Sequence, residues 1–342
     1  MALVAALVAA GSGAARAAAT RPTAPVERAG AATIRIAYPT TTLINGQIGL
    51  ILERTNILKL NGLNGKVVGF SHGPPQNEAL ASGAVDVALT SEGPAVVGIS
   101  QGIDALVFAS FGRTRDALVV PGSSPIRTRN DLKGKTIGVP FGTTPFLHLV
   151  RWLKGTRLYD SVRLVNIGPE ELAAALASKS VDAVEYNEPL PTELQATVSG
   201  RIVSHSNLAY AAVMRRDFLR AHRPAAARFM AALADASLFM ATHKRLVNRW
   251  FAEVSRADVK VIRRASGHSP LYTHTRSLKQ VHIGINRTFV KRLQGDADFF
   301  AKQGFVKSAA DMTHATDLRL WNEASKILRH QKAILRKVKI VR

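Results

Sequence analysis

Past the first thirty residues, short apolar runs bounded by Gly, Pro and polar turns alternate with stretches whose apolar residues recur every three or four positions. The runs predict strands: "TIRIAY" (Thr33–Tyr38), "KVVGFS", "VDVAL", "ALVFASF", "DALVVP", "TIGVP", "VRLVNI" and "VDAVEY". The stretches between them predict helices. These are "IGLILERTNIL", "PQNEALAS" (opened by Pro74 and Pro75, closed near Gly83), one begun by Pro94, "GTTPFLHLVRWL" and "PEELAAALAS". Thr144 is a natural N-cap, with Pro145 at the first helical position. "PTTTLINGQ" reads as a loop after the first strand. From Arg223 onward the pattern is helical: "PAAARFMAALADASLFM", "HKRLVNRWFAEV", "GINRTFVKRL" and "DADFFAKQGF". Strands alternating with helices argue for an α/β fold of mostly parallel sheets with helices on both faces.

One stretch is written twice. "ALASGAVDVALTSEGP" (Ala79–Pro94) returns as "ALASKSVDAVEYNEP" (Ala175–Pro189), with Ala79, Leu80, Ala81, Ser82, Val85, Asp86 and Glu92 each matched 96 positions later. Each copy reads as a helix, a reversal at Gly83 or Lys179, a strand, and an acidic loop ending at a helix-starting proline. An offset this long is no solenoid period. It implies two similar lobes. Ligands of open α/β sheets sit beyond the carboxyl ends of the strands, so both acidic loops should reach one cleft, with Glu92 and Glu188 facing each other across it.

Composition narrows the classes. The chain has 342 residues, 46% apolar and 20% charged, enough for a large core. After the N-terminus no apolar run reaches about 18 residues, so no transmembrane helix is expected. Residues 1–19, with "ALVAALVAA" and then Ala15-Arg16-Ala17, have the layout of a signal peptide cleaved near Ala17 to Ala19, and residues 20–31 read as a flexible lead-in. That predicts an exported, periplasmic protein. Cysteine is absent, which excludes a thiol nucleophile, an iron–sulfur centre, a cysteine zinc site and a lipid-modified N-terminal Cys. The net charge of +22 is scattered, without basic–aromatic interleaving. It argues for steering of anions rather than nucleic-acid binding. The tail "KILRHQKAILRKVKIVR" is its densest cluster and reads as a basic last helix.

Catalytic, cofactor and metal motifs are missing: there is no H-E-x-x-H, no G-x-S-x-G with partners, and no P-loop. His268 and His274 flank "SPLYT" at a spacing that says little about metal, and His148 reads as a helix-surface residue. Binding candidates are better. In "PFGTTPF", Gly142 admits close backbone approach, Thr143 and Thr144 bring hydroxyls, and the helix start offers the N–H groups of Phe146 and Leu147 to an anion. Tyr38, Thr40 and Thr41 lie near the end of the first strand, and "TSEG" and "EYNEP" are the repeated loops.

The order "IRIAYPTTT", "EALASGAVDVALTSEGP", "DLKGKTIGVPFGTT", "ALASKSVDAVEYNEP", "MRRDFLRAHRPAAARFMAAL" and "FFAKQGFVKSAADM" resembles the solute-binding proteins of ABC importers for aliphatic sulfonates, taurine and nitrate. That family also takes in thiamine-precursor pyrimidine binders. The resemblance implies a two-lobed periplasmic-binding-protein fold of type II, each lobe a mixed, mostly parallel sheet flanked by helices, with the ligand cleft between lobes. Residues 32–115 and 208–342 would form lobe 1 and residues 116–207 lobe 2, hinged near Gly112–Val120 and Ser206–Met214. The pocket it implies uses Tyr38, Thr40, Thr41, Ser91, Glu92, Gly142, Thr143, Thr144, Tyr186 and Glu188. The implied protein is a monomer that hands a small molecule to an inner-membrane ABC permease and carries no catalytic residue, cofactor or metal. Two ligand classes stay open. The "GTT" helix start and the basic balance favour a small organic anion; the two glutamates favour an amine-bearing heterocycle. A lyase on the same fold is a further alternative.

Overall fold

The computed structural model describes residues 32–330 and 334–341; the expected signal peptide lies outside them. A first round of elements comprises β1 (Ala32–Pro39), α1 (Leu43–Arg54), α2 (Ile57–Leu60), β2 (Leu63–Phe70), α3 (Gly73–Ala81), β3 (Val87–Ser91) and α4 (Glu92–Ser100). The long strand β4 (Ala105–Val120) leads to a second round: β5 (Thr136–Val139), α5 (Thr144–Gly155), β6 (Arg163–Asn166), α6 (Leu172–Ala177), β7 (Ala183–Asn187) and α7 (Leu190–Thr197). A second long strand, β8 (Arg201–Arg215), returns the chain to α8 (Arg216–Ala221), α9 (Arg223–Thr242), α10 (Lys244–Ser255) and α11 (Val259–Ser266). The last helices are α12 (Pro270–His274), α13 (Arg287–Lys302) and α14 (Leu320–His330).

The eight strands form one continuous sheet in the order β2-β1-β3-β8-β4-β7-β5-β6. From one edge the order is β2-β1-β3-β8-β4, and from the other it is β6-β5-β7-β4-β8, so the halves repeat one plan. Within each half the short strands pair in parallel, and the long strands join them antiparallel. The runs "ALVFASF" and "DALVVP", expected as two strands, are the two ends of β4. Ala105–Ser110 pair with the second part of β8, and Asp116–Val120 pair with its first part. Between Ser110 and Arg113 the register shifts, at Gly112 (φ 101°). This interruption is what made one strand read as two.

Apolar residues bury both faces, as parallel strands require. On β1, Ile34, Ile36 and Tyr38 enter one core cluster while Ala37 enters another, the alternation a strand imposes. The twenty-residue α9 is buried along nearly its whole length against the first cluster. Helix α1 begins at Leu43, five residues before the expected start, because its glycines disguise it. A Cβ on Gly49 would lie 2.2 Å from Tyr38 Cγ, so the glycine lets the helix lie directly on β1. "GINRTFVKRL" and "DADFFAKQGF" run together as α13. The basic tail is not one helix: after α14 the chain bridges Ile340 to Thr55, and Val341 N–H donates to the Arg54 carbonyl.

Candidate functional site

The repeated Asp has the same duty in both halves. Asp86 N–H donates to the Arg35 carbonyl while its carboxylate accepts from Arg35 N–H at 2.8 Å. Asp182 does the same with Thr136, at 2.8 Å each way. Each aspartate thus clamps the neighbouring parallel strand at two backbone points, mid-strand in β1 and at the start of β5, fixing which loops arrive together at the far ends.

Those loops meet across the halves along a polar seam. At one end Thr41 Oγ1 lies 3.1 Å from Tyr186 Oη, and Leu43 N–H, at the start of α1, donates to the Glu188 carbonyl. At the other, Thr144 Oγ1 donates to Ser91 Oγ at 2.9 Å and accepts from Gly93 N–H at 2.8 Å. A Cβ on Gly93 would sit 2.6 Å from Thr144 N, so only glycine permits this approach. Thr40 and Thr41 hydroxyls also donate to the carbonyls of Phe70 and Ser71.

Five expectations need correction. The N-cap of α5 is Thr143, one residue earlier than read, and its hydroxyl accepts from Phe146 N–H. Leu147 N–H goes to the Thr143 carbonyl, so neither amide is left for an anion. Tyr38 is buried in the core and its hydroxyl donates to Glu53 rather than facing the seam. Glu92 and Glu188 do not face each other, because each is consumed by its own partners. Glu92, fully buried, takes Arg292 through two hydrogen bonds of 2.5 Å and also accepts from Ala209 N–H. Glu188, equally buried, takes Arg115 at 2.5 Å and Thr192 N–H at 3.3 Å, with His268 at 3.7 Å. Finally, His148 is no surface residue. It is largely buried, with Nδ1 2.6 Å from Asp116 and Nε2 3.6 Å from Glu92.

Electrostatics around His148 follow from burial and pairing. Burial alone would lower its pKa, but Asp116 and Glu92 raise it to about 9, so it carries a proton at neutral pH. Burial alone would raise the Glu92 carboxyl, but the His148 and Arg292 cations hold it below its usual range. Glu185, one position before Tyr186, is pushed well above its usual carboxylate value by burial and by Asp116, which favours its neutral form.

Two cavities flank the seam. One, about 420 Å³, is lined by Thr40, Thr41 and Tyr186 together with Glu170, Glu193 and Arg256. The other, about 640 Å³, contains Glu185 and His148. Glu185 and Tyr186 are consecutive on β7, and successive strand residues point to opposite faces, so the cavities lie on opposite faces of the sheet. Of the expected residues, Thr40, Thr41 and Tyr186 come together at the first cavity and Ser91 with Thr144 at the seam. Gly142 lies beside Pro74 of α3. Sequence reading missed Glu170, Glu193 and Arg256; only the left-handed φ of 59° at Arg256 marks one of them, and that is visible only in the fold. Among the described residues no group of three His, Asp or Glu side chains could hold a metal.

Residues 74–245, half of the chain, match the family described as NMT1/THI5 like. A binding protein of Brucella abortus is 24% identical over 274 residues, 77% of this chain and 84% of that one. A Bacillus subtilis protein named for binding aliphatic sulfonates is 26% identical over 268 residues, 75% of this chain and 77% of that one. Among solved structures, the alkanesulfonate-binding protein of Xanthomonas axonopodis pv. citri, bound to MOPS, superposes with a TM-score of 0.72 at 22% identity, over 84% of this chain and 99% of that one. The chain belongs to the NMT1/THI5 like family and has the two-lobed fold of periplasmic binding proteins.

Proposed function

We propose that this chain is the periplasmic solute-binding component of an ABC importer, and that it captures a small organic anion bearing an amine, such as an aminoalkanesulfonate. Its lobes would be residues 32–115 with 208–342, and 116–207. They would close on the solute by a hinge motion in β4 and β8 and hand it to an inner-membrane permease. The relatives named for aliphatic sulfonates support the anion, and an ABC transporter periplasmic binding protein of Brachyspira hyodysenteriae supports the class.

The observation that carries the reading is the charge pattern of the 420 Å³ cavity. Arg256 makes no side-chain hydrogen bond or ion pair among the described residues, and it holds a left-handed backbone that costs a side-chain-bearing residue of order 1 kcal/mol. A guanidinium kept there unpaired suits a sulfonate or carboxylate, which it can bind through two parallel hydrogen bonds. Burial pushes the Glu193 carboxyl up, and an incoming ammonium would offset that cost. Glu170 lines the same wall, and the Thr40, Thr41 and Tyr186 hydroxyls complete the polar contacts. Eleven Lys and Arg against two acidic residues between positions 243 and 291 would steer an anion toward the Arg256 side.

Calorimetry with taurine, ethanesulfonate and an aminopyrimidine tests the reading. Taurine should bind tightest, and Glu193→Gln should bring it down to the level of ethanesulfonate. Tight aminopyrimidine binding with no response to any anion would overturn it.

A further inference from the structure

We propose that the 640 Å³ cavity on the opposite face of the sheet is a second ligand site, for a small oxyanion, independent of what the first cavity captures. Its walls come from both halves and from the strands that join them: α5 supplies His148, Arg151 and Trp152, β4 supplies Arg113, α13 supplies Arg292, and β8 supplies Ser204–Asn207. Three guanidiniums and a protonated imidazole therefore converge on one space.

Most of that charge is already balanced. Arg292 is paired with Glu92, Arg151 with Asp296, and His148 lies between Asp116 and Glu92. Arg113 is the exception. Its side chain makes no hydrogen bond or ion pair among the described residues, and it stands at the register shift of β4, beside Gly112. The Glu185 carboxyl, which lines the same cavity, likewise bonds to no described group, and in its neutral form it is an O–H donor. The Ser204 and Ser206 hydroxyls add donors without described partners. An unpaired guanidinium, a carboxylic O–H and two hydroxyls around one cavity form a donor set that fits the oxygens of a tetrahedral anion. An oxyanion there would contact α5 and β4 at once and brace the junction between the halves.

The oxyanion can come from two sources, inorganic phosphate or sulfate, or the sulfonate end of the transported solute itself. Isothermal titration of the full chain with sodium phosphate, sodium sulfate and ethanesulfonate, against sodium chloride at matched ionic strength, separates them. Saturable phosphate or sulfate binding that chloride does not reproduce is expected. Arg113→Gln should weaken it about tenfold, Arg113→Lys less, and Tyr186→Phe not at all. A second equivalent of ethanesulfonate, lost in Arg113→Gln, would assign the sulfonate as the source. Trp152 fluorescence should respond to the anion and fall silent in Trp152→Phe. Binding equal to chloride, or unchanged in a folded Arg113→Gln, overturns the proposal. Failure of taurine to bind the first cavity leaves it standing, since the phosphate titration is read separately.

Discussion

The two copies of the repeat keep one acid in common duty and send the other to different ends. Asp86 and Asp182 make the same pair of backbone contacts to the neighbouring strand. Glu92 and Glu188, equally well matched in sequence, diverge. The first ties α13 and α5 into a buried ion network on one face. The second ties β4 to α7 through Arg115, whose guanidinium also reaches Gln195 on α7. The repeated aspartates belong to the folding plan of each half, whereas the glutamates hold the halves to what surrounds them. The largest test follows from that. Arg292→Met leaves Glu92 buried without its main counter-charge and should cost about 3–5 kcal/mol by urea denaturation. The double variant with Glu92→Gln should regain most of it. A single-variant loss below about 1 kcal/mol would mean that the network is not holding α13.

The same network should make stability depend on pH in a way the Glu188 side does not, because burial lowers the pKa of His268 beside Glu188 instead of raising it. His148 has its pKa raised from 6.5 to about 9, so the stability it contributes is fully present below pH 6.5 and is lost as pH rises through 9. The full difference is of order 3 kcal/mol. Thermal melts of the wild type should fall across that window, and His148→Gln should start lower and stay flat there. A wild-type profile level from pH 6 to 10 would contradict the buried, paired imidazole.

The aspartates offer a finer comparison. Asp86→Ala and Asp182→Ala should each cost about 1–3 kcal/mol, from losing a charge-assisted bond to a backbone N–H. Asp86 should cost more. Its side chain is nearly buried and also holds the Arg35 guanidinium, while Asp182 is 41% exposed with Lys135 at 3.8 Å. Equal losses would show that the buried side-chain pair adds nothing to the clamp.

Much of this plan was legible in the chain. The 96-residue repeat announced two halves because the clamp aspartate sits at a fixed distance from its strand, a local constraint that sequence preserves. Apolar period gave the strands, except where Gly112 and the register shift split β4. The site was only partly legible. Thr40 and Thr41 follow the end of β1 and Tyr186 lies near the end of β7, where alternation and the repeat point directly. Arg115, Arg292 and Arg256 come from segments distant in sequence, and an arginine on a basic chain carries no local sign of the carboxylate it will meet. His148 looked exposed because α5 shows its polar face in sequence, yet that face packs on Glu92 of the other half.

The seam itself sets the smallest and sharpest contrast, between its two contacts. Tyr186 and Thr41 meet beside the cavity proposed for the solute, whereas Ser91 and Thr144 meet away from it. Tyr186→Phe removes one hydroxyl that is both a cross-half bond and a cavity wall, so solute affinity should fall about fivefold, near 1 kcal/mol. Ser91→Ala removes a cross-half bond of the same kind, but Ser91 lines neither of the two cavities, so the change should weaken capture by no more than about twofold, and only through closure. Calorimetry on the two variants, with taurine as the first solute, reads the difference directly. If Ser91→Ala costs as much as Tyr186→Phe, the two ends of the seam are energetically one device, and the solute is felt through closure rather than through the Tyr186 hydroxyl.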